Sequence, residues 1–300
     1  MKQMTLKEFA MPYREKKSGS ELEKIQTWRE ATVYKTHTML QKARYDLSLM
    51  EWRIVHYAIA QIKPTSADFN EFTIDLNDLF DICGLTHESY TEIKLIIKKL
   101  ADRSWWLVME DPNFPGTECD SLVRWFNTLR SNKKTGKVTI KFHEDMFGYL
   151  LSLYERYEKY GENYAGLVLK YTLPMKSKYG VRLYELLKSY QVNNKEWWFQ
   201  VDKLKHLLNA DNYKLFGDFK RWVLEPAVKE INKFTDIIIY YETEKDGKKV
   251  DKITFYMDEK SVSQRIQAEK DGLTRLEGKI HYWDSGIDGQ LNLLDEVDEQ

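Results

Sequence analysis

The sequence predicts an α+β protein in which one helix-and-hairpin unit is used twice, between a flexible N-terminal arm and an acidic C-terminal tail. Three observations carry that expectation. Helical and strand-like patterns follow one another in the same order in both halves of the chain. Three blocks of the first half register on three blocks of the second at a nearly constant offset. Turn-forming residues, SNKKTG at 131–136 and Asp246-Gly247, fall between strand candidates in each half.

The elements come in this order. Residues 1–30 read as a mobile arm with one short helix. Leu47, Met50, Ile54, Val55, Ala58, Ile59 and Ile62 recur at spacings of three and four, so a helix is expected from Met39 to Ile62. Asp46 or Ser48 caps its start, and Pro64 ends it. In FTIDLNDLFDICGL, 72–85, a short strand through Phe72 and Ile74 runs into Asp75, an N-cap, and a brief helix ending near Gly84. Tyr90, Ile93, Ile96, Ile97 and Leu100 then share one face of a second helix. A strand-like run follows from Trp105 to Met109, and a loop from Pro112 to Gly116. SLVRWFNTLR, 121–130, and KVTIKFHEDMF, 137–147, are strand candidates.

The second half repeats the order. SKYGVRLYELLKSY, 177–190, is a helix by its Val181, Leu183, Tyr184, Leu186 and Leu187. WWFQVDKLKHLLNA, 197–210, is a strand, an Asp and a short helix. YKLFGDFKRWVLEPAVKEINKF, 213–234, is a long amphipathic helix, and TDIIIYYETEKDGKKVDKITFYM, 235–257, is a hairpin. A shift of 128 places Val55 on Leu183 and Ile59 on Leu187. A shift of 127 places Phe72 on Phe199 and Asp75 on Asp202. A shift of 131 places Ile97 on Val228, Leu100 on Ile231, Ser104 on Thr235 and Leu107 on Ile238. Each unit is thus helix, strand, short helix, long helix, hairpin. That is a helix-turn-helix with a wing, so the fold expected is two tandem winged-helix domains related by duplication. The arm takes 1–30, the domains 31–160 and 161–260, and the acidic tail 261–300.

Charge says what such domains would bind. The formal net charge of −1 hides an uneven distribution. Residues 1–120 carry 16 Lys+Arg against 19 Asp+Glu, net −3; residues 121–260 carry 26 against 19, net +7; residues 261–300 carry 4 against 9, net −5. A basic, aromatic-rich middle fits a polyanionic partner. In a winged helix the long helix enters the major groove and the wing lies on the backbone beside it. On the second unit's long helix, Phe216, Phe219, Val223, Ala227, Ile231 and Phe234 form the packing face. Lys214, Arg221, Glu225 and Asn232 oppose it, with Lys229 flanking and Lys220 on the border. Arg221 is the candidate for a base edge, since a guanidinium grips guanine bidentately. Pro226 cannot donate to the Trp222 carbonyl, so the helix is expected to kink or divide there. In the first unit Lys94 and Lys98 oppose the apolar face. The wing tips add Lys133, Lys134 and Lys137, and then Lys245, Lys248 and Lys249, as phosphate contacts. Double-stranded DNA is the expected partner, although winged helices also dock proteins.

Other chemistry is disfavoured. Cys83 and Cys119 have no metal-type spacing and read as reduced thiols, and no metal or cofactor is expected. No His-x-His or His-x-x-x-His pair occurs among His37, His56, His87, His143, His206 and His281, which counts against a metal-dependent nickase. Gly161 and Gly166 have the glycine spacing of a phosphate loop, but Leu167 stands where Lys is required. Gly278-Lys279 lacks the partner glycine. Asp75 and Asp202 read as caps rather than acids. No catalytic residue is assigned. No stretch approaches ~18 apolar residues, so a cytoplasmic protein off the membrane is expected.

SKYGVRLYELLKSY resembles a signature of the plasmid replication initiators that bind iterons, the Rep proteins with two winged-helix domains. YKLFGDFKRWVLEPAVKEINKFTDIIIYYE is similar to their second-domain helix and following strand. The stretch from Ala43 to Ala60 is similar to their first-domain helix. The resemblance spans about 31–258, more specific in the second unit and looser in the first, where Trp105 and Trp106 are unusual. It implies binding to repeated sequences at a plasmid origin, opening of an adjacent AT-rich region, and recruitment of the host initiator and helicase. It also implies a dimer, joined through the first domain, that represses its own gene in exchange with an initiating monomer. By matching position it makes Lys220, Arg221 and Lys229 second-domain DNA residues. Nothing carries over onto the arm or the tail.

The tail has a separate resemblance. Gln290-Leu291-Asn292-Leu293-Leu294 looks like the peptide that bacterial proteins insert into the replicative sliding clamp, with Leu294 where Phe is common. Leu291, Leu293 and Leu294 would fill a pocket, and the Gln290 amide would fix register. A transcriptional repressor with tandem winged helices and no replication role is the alternative function.

Overall fold

The structure is a computed structural model. It describes residues 19–277 apart from 69–70, 86–89, 112, 133 and 192–193. The clamp-type peptide, Gln290 to Leu294, lies outside the described residues, as does Lys133.

The first unit opens with α1 (Gly19–Arg29), β1 (Thr32–Thr36), α2 (His37–Lys42) and α3 (Leu49–Ile59). The helix expected from Met39 to Ile62 is therefore two. The break has a local cause: Ser48 caps α3 in a capping box. Its hydroxyl accepts from the Glu51 N–H, and the Glu51 carboxylate accepts from the Ser48 N–H at 2.7 Å. Every residue of α3 is buried, so this helix forms the centre of the molecule rather than one of its walls. Then come β2 (Phe72–Asp75), α4 (Leu76–Cys83) and α5 (Tyr90–Ala101). Asp75 caps α4 by accepting from the Asn77 N–H at 2.9 Å, and Gly84 ends it in the left-handed region at φ 68°. The expected arm carries α1 over Gly19–Arg29, which packs on the first unit. Ile25 and Trp28 of α1 pack on the core, and the Trp28 ring lies 4.6 Å from Tyr57. Arg29 donates to the carbonyls of Asp81 and Ile82 at the end of α4.

Four strands follow: β3 (Ser104–Glu110), β4 (Glu118–Arg124), β5 (Phe126–Ser131) and β6 (Lys137–Phe142). They do not make one sheet. β2, β6 and β5 form a three-stranded sheet in that order, while β3 and β4 pair separately. A 3-10 turn (Glu144–Met146), α6 (Phe147–Leu150), α7 (Leu153–Tyr160), β7 (Tyr164–Val168) and α8 (Leu169–Thr172) lead onward. β7 pairs antiparallel with β1, Tyr34 opposite Gly166, so this ladder crosses the expected boundary at 160.

The second unit has α9 (Lys178–Gln191), β8 (Glu196–Gln200), α10 (Val201–Leu207), α11 (Phe216–Phe219), a π-helical stretch (Lys220–Leu224), α12 (Glu225–Phe234), β9 (Ile237–Asp246) and β10 (Lys249–Glu259). Its sheet runs β8-β10-β9, the same order as β2-β6-β5. Phe72 faces Ile140 in one sheet and Phe199 faces Ile253 in the other, so the two residues that the 127 shift matches take the same place in their sheets. The sheet order corrects two other registrations. β5, not β3, is the counterpart of β9, so Ser104 and Leu107 do not correspond to Thr235 and Ile238 within the wing. The β3–β4 hairpin is an insertion of the first unit. Asp202 is not a cap: α10 begins at Val201 behind Gln200, and Asp202 lies in its first turn. The division at Pro226 is as expected. The Glu225 N–H reaches back to the Lys220 carbonyl, five residues away, and the helix resumes after a π turn.

Residues 262–277 correct the acidic tail. They form α13 (Val262–Glu277), with Ala268, Gly272 and Leu276 buried. Arg275 pairs with Glu230 at 3.2 Å, and Tyr171 donates to Glu269 at 3.4 Å. The Leu276 carbonyl lies only 2.1 Å from where a Cβ at residue 84 would be, so α13 reaches the first unit at a position that admits only glycine.

α9 joins the units through a buried polar cluster. The Lys35 ammonium of β1 donates to Glu185 Oε1 at 2.6 Å, and the Tyr45 hydroxyl donates to Glu185 Oε2 at 3.1 Å. His56 Nε2 of α3 lies 2.9 Å from the same carboxylate, and Arg182 completes the cluster at 3.6 Å. Arg182 also donates to the Ala43 and Leu207 carbonyls, one on each side of the junction.

Candidate nucleic-acid interface

The second unit places its cations on two elements. The long helix packs through Phe219, Val223, Leu224, Ala227, Ile231 and Phe234, with Phe216 half-buried. Lys220, Arg221 and Lys229 are exposed, as the periodicity predicted; Lys214 is exposed too, but in the turn before the helix, which starts at Phe216 and not at 213. The turn ahead of the helix is anchored from below. Lys205 of α10 donates to the Lys214 carbonyl at 3.1 Å and lies over the Phe219 ring. Burial lowers its pKa. Asn232 is not an outward residue. Its amide donates to the Ile239 carbonyl and accepts from the Ile239 N–H, so it clips the edge of β9 to the helix. An open groove of about 710 Å³ remains between helix and strand, lined by Lys220, Glu225, Val228, Tyr241 and Thr243 among others. Tyr241 donates to Glu225 at its floor.

The wing tip follows from chemistry that the sequence displays. Gly247 turns at φ 59°, and Lys245, Lys248 and Lys249 stand exposed around it. Lys249 reaches Asp202 at 3.0 Å, which raises the lysine and lowers the carboxyl; both side chains are solvated. In the first unit the turn between β5 and β6 is built by Asn132, whose side chain accepts from the Lys134 and Thr135 N–H groups. Gly136 follows at φ 67°, and Lys134 and Lys137 are exposed. Lys98 is exposed on α5, beside Lys99 and an exposed Leu95. Lys94 lies on the same helix, its side chain outside the described residues.

Two features escaped the sequence reading. Lys233 is exposed one turn beyond Lys229; its signal was the spacing of four. The Arg221 guanidinium lies over the Trp222 ring, 4.6 Å from its centre, and no periodicity reports a contact between neighbours in the chain. Among the described residues no group of three His, Cys, Asp or Glu is placed to hold a metal ion. No helix among them is long and apolar enough to cross a membrane.

Comparison with known proteins decides the family. Residues 32–188 match the sequence pattern of the family described as initiator replication protein, WH1, and residues 200–257 match initiator Rep protein, WH2. The chain belongs to this family of replication initiators. The first match runs through β7 and α8 into α9, past the boundary expected at 160, and the second begins at the end of β8 and stops before α13. An Escherichia coli replication initiation protein is 24% identical over 242 residues, covering 76% of this chain and 70% of the relative. The Escherichia coli PI protein is 30% identical over 251 residues, covering 73% and 78%. The fold is also that of the Pi initiator protein, solved in complex with iteron DNA. That likeness has a TM-score of 0.62 at 24% identity and covers 78% of this chain and 99% of the other.

Proposed function

We propose that this protein starts plasmid replication in the cytoplasm by binding repeated sequences of an origin duplex. What carries the reading is the combination, in one family member, of two winged units with the same sheet order, each with an exposed cationic helix and a lysine-tipped wing. Arg221 reads a base edge. Lys214, Lys220 and Lys229 flank it on phosphates, as do Lys245, Lys248 and Lys249 at the wing. Lys94, Lys98, Lys133, Lys134 and Lys137 serve the first unit. A related initiator of the same fold is solved with iteron DNA, which supports direct repeats as the target. Opening of a neighbouring AT-rich region, recruitment of the host initiator and helicase, and self-repression as a dimer in exchange with monomer belong to the same proposal. So does a clamp tether through Gln290, Leu291, Leu293 and Leu294.

The test is a plasmid carrying this gene and its flanking DNA as the sole replicon. Wild type is expected to establish, and Arg221→Ala is expected to fail while the protein accumulates normally. Establishment with Arg221→Ala at wild-type copy number would sink the assignment. Leu293→Ala with Leu294→Ala is expected to abolish clamp pull-down and leave DNA binding intact; retained pull-down ends the clamp proposal.

A further inference from the structure

We infer that Trp222 is a positioning residue that sets how selectively Arg221 reads a guanine. The inference rests on the DNA-binding reading above. Consecutive residues on an α-helix point about 100° apart and do not face one another. A long side chain can still fold back over its neighbour, and the Arg221 guanidinium sits 4.6 Å from the centre of the Trp222 ring, closer than Lys233 to Phe234 at 5.6 Å. Trp222 is half-buried, while Arg221 stands in solvent.

Lys233 likewise lies over the ring of its neighbour Phe234, at 5.6 Å, but several other cations of the second unit face carboxylates. Lys220 faces Glu225 at 3.7 Å, Lys249 faces Asp202 at 3.0 Å and Lys252 faces Glu244 at 2.6 Å. A carboxylate occupies the donors of the cation it holds. A ring face attracts the guanidinium plane and leaves its five N–H donors at the edge. Among the described residues Arg221 has no carboxylate partner. A guanine presents O6 and N7 to two parallel donors, and a mobile arginine must be ordered to meet them. A ring that already orders the plane lowers that cost. It does so for the base contact and not for phosphates, which accept a cation in many orientations.

The experiment compares wild type, Trp222→Ala, Trp222→Phe, Arg221→Ala and the Arg221→Ala/Trp222→Ala double variant. The probes are the duplex that wild type selects from a random library and a scrambled duplex of equal composition. Trp222→Ala is expected to bind the selected duplex about two- to five-fold more weakly, the scale of an exposed cation–ring contact. Binding to the scrambled duplex is expected to stay unchanged, and Trp222→Phe to restore most of the loss. In the Arg221→Ala background, Trp222→Ala is expected to add nothing. An equal loss in that background, or on the scrambled duplex, overturns the inference. The Arg221 Nε–H resonance of the DNA-free protein separates this inference from the reading beneath it. A ring-current shift that vanishes in Trp222→Ala reports the stack whether or not DNA binds. Its absence in wild type overturns the inference alone. A library that yields no sequence overturns the DNA reading and the guanine assignment with it.

Discussion

The two units share a strand order and differ in what they show to solvent. In the second, the long helix runs directly into the wing, and its outward face carries Arg221, Lys229 and Lys233. In the first, the β3–β4 hairpin comes between helix and wing and shows Trp106 and Leu122, a cross-strand pair, at 54% and 44% exposure. Its α5 shows Leu95 between the lysines. The first unit is also fused to the rest of the molecule through α3, β1 and the Glu185 cluster. Topology was duplicated while surface was not. On the function proposed above, the second unit would read sequence, while the first would add phosphate contacts and frame the molecule.

The largest test of that contrast is Glu185→Ala. It strands Lys35 and Arg182 without their carboxylate in the core, and removing one partner of such a pair costs about 3–5 kcal/mol. Denaturant unfolding should show the loss in both units together, because α9 packs on each. A loss confined to one unit would break the description of α9 as their shared element.

Acid should act through the same cluster. Burial and the Lys35 charge push His56 down to about 4 from 6.5, so it is neutral in the fold at neutral pH. Between those values the unfolded chain takes up a proton that the folded one does not. Stability therefore falls as pH drops from 6.5 toward 4, by about 3 kcal/mol for a shift of this size. Burial works against the Glu185 charge, and Lys35, His56 and Arg182 outweigh it, holding the carboxyl down to about 2. Its contribution is lost only below its ordinary range, as pH falls toward 2. Unfolding curves at pH 7 and pH 5 check this. His56→Gln should flatten the difference, and an unchanged slope in that variant would point to another group.

Gly84→Ala is next. The left-handed φ and the Leu276 carbonyl both oppose a Cβ there, so a loss of about 2–3 kcal/mol and faster proteolysis of α13 are expected. Gly247→Ala meets only open space at φ 59° and should cost about 1 kcal/mol. Equal effects would mean that α13 does not bear on the first unit.

The wings give the smallest effects. Lys248→Ala and Lys134→Ala should each weaken binding alike on every sequence and lower the salt slope by about one. Arg221→Ala should instead cost about 1–3 kcal/mol on the selected site and relax preference at one base pair. A sequence-dependent effect from a wing lysine would blur the division between units.

What the sequence revealed follows a physical line. Ser48, Asp75, Gly84, Pro226 and Asp246-Gly247 act within a few residues of themselves, and each was legible. The outward positions of Lys220, Arg221 and Lys229 followed from one helical period, while Lys214, expected on the same helix, stands in the turn before it. Pairings across long separations were not legible. β3 carries strand residues whichever partner it takes, so offset matching laid it on β9. Lys35 and Glu185 stand 150 positions apart, and neither carries a local mark of burial. α13 fully buries only Ala268, Gly272 and Leu276, too little apolar surface to outweigh the acidic composition around it. Asp202 mimicked Asp75 because the two strands align, while the helices after them start two positions out of step.

The most direct test of the central claim is selection from a library of random duplexes at about 150 mM salt, where non-specific contacts weaken, run in parallel with wild type and Arg221→Ala. Wild type should enrich one motif of about two turns that recurs as direct repeats beside its gene, and Arg221→Ala should lose preference in one part of that motif. Failure of wild type to enrich any motif, or enrichment of the same motif with equal preference by Arg221→Ala, would contradict the account.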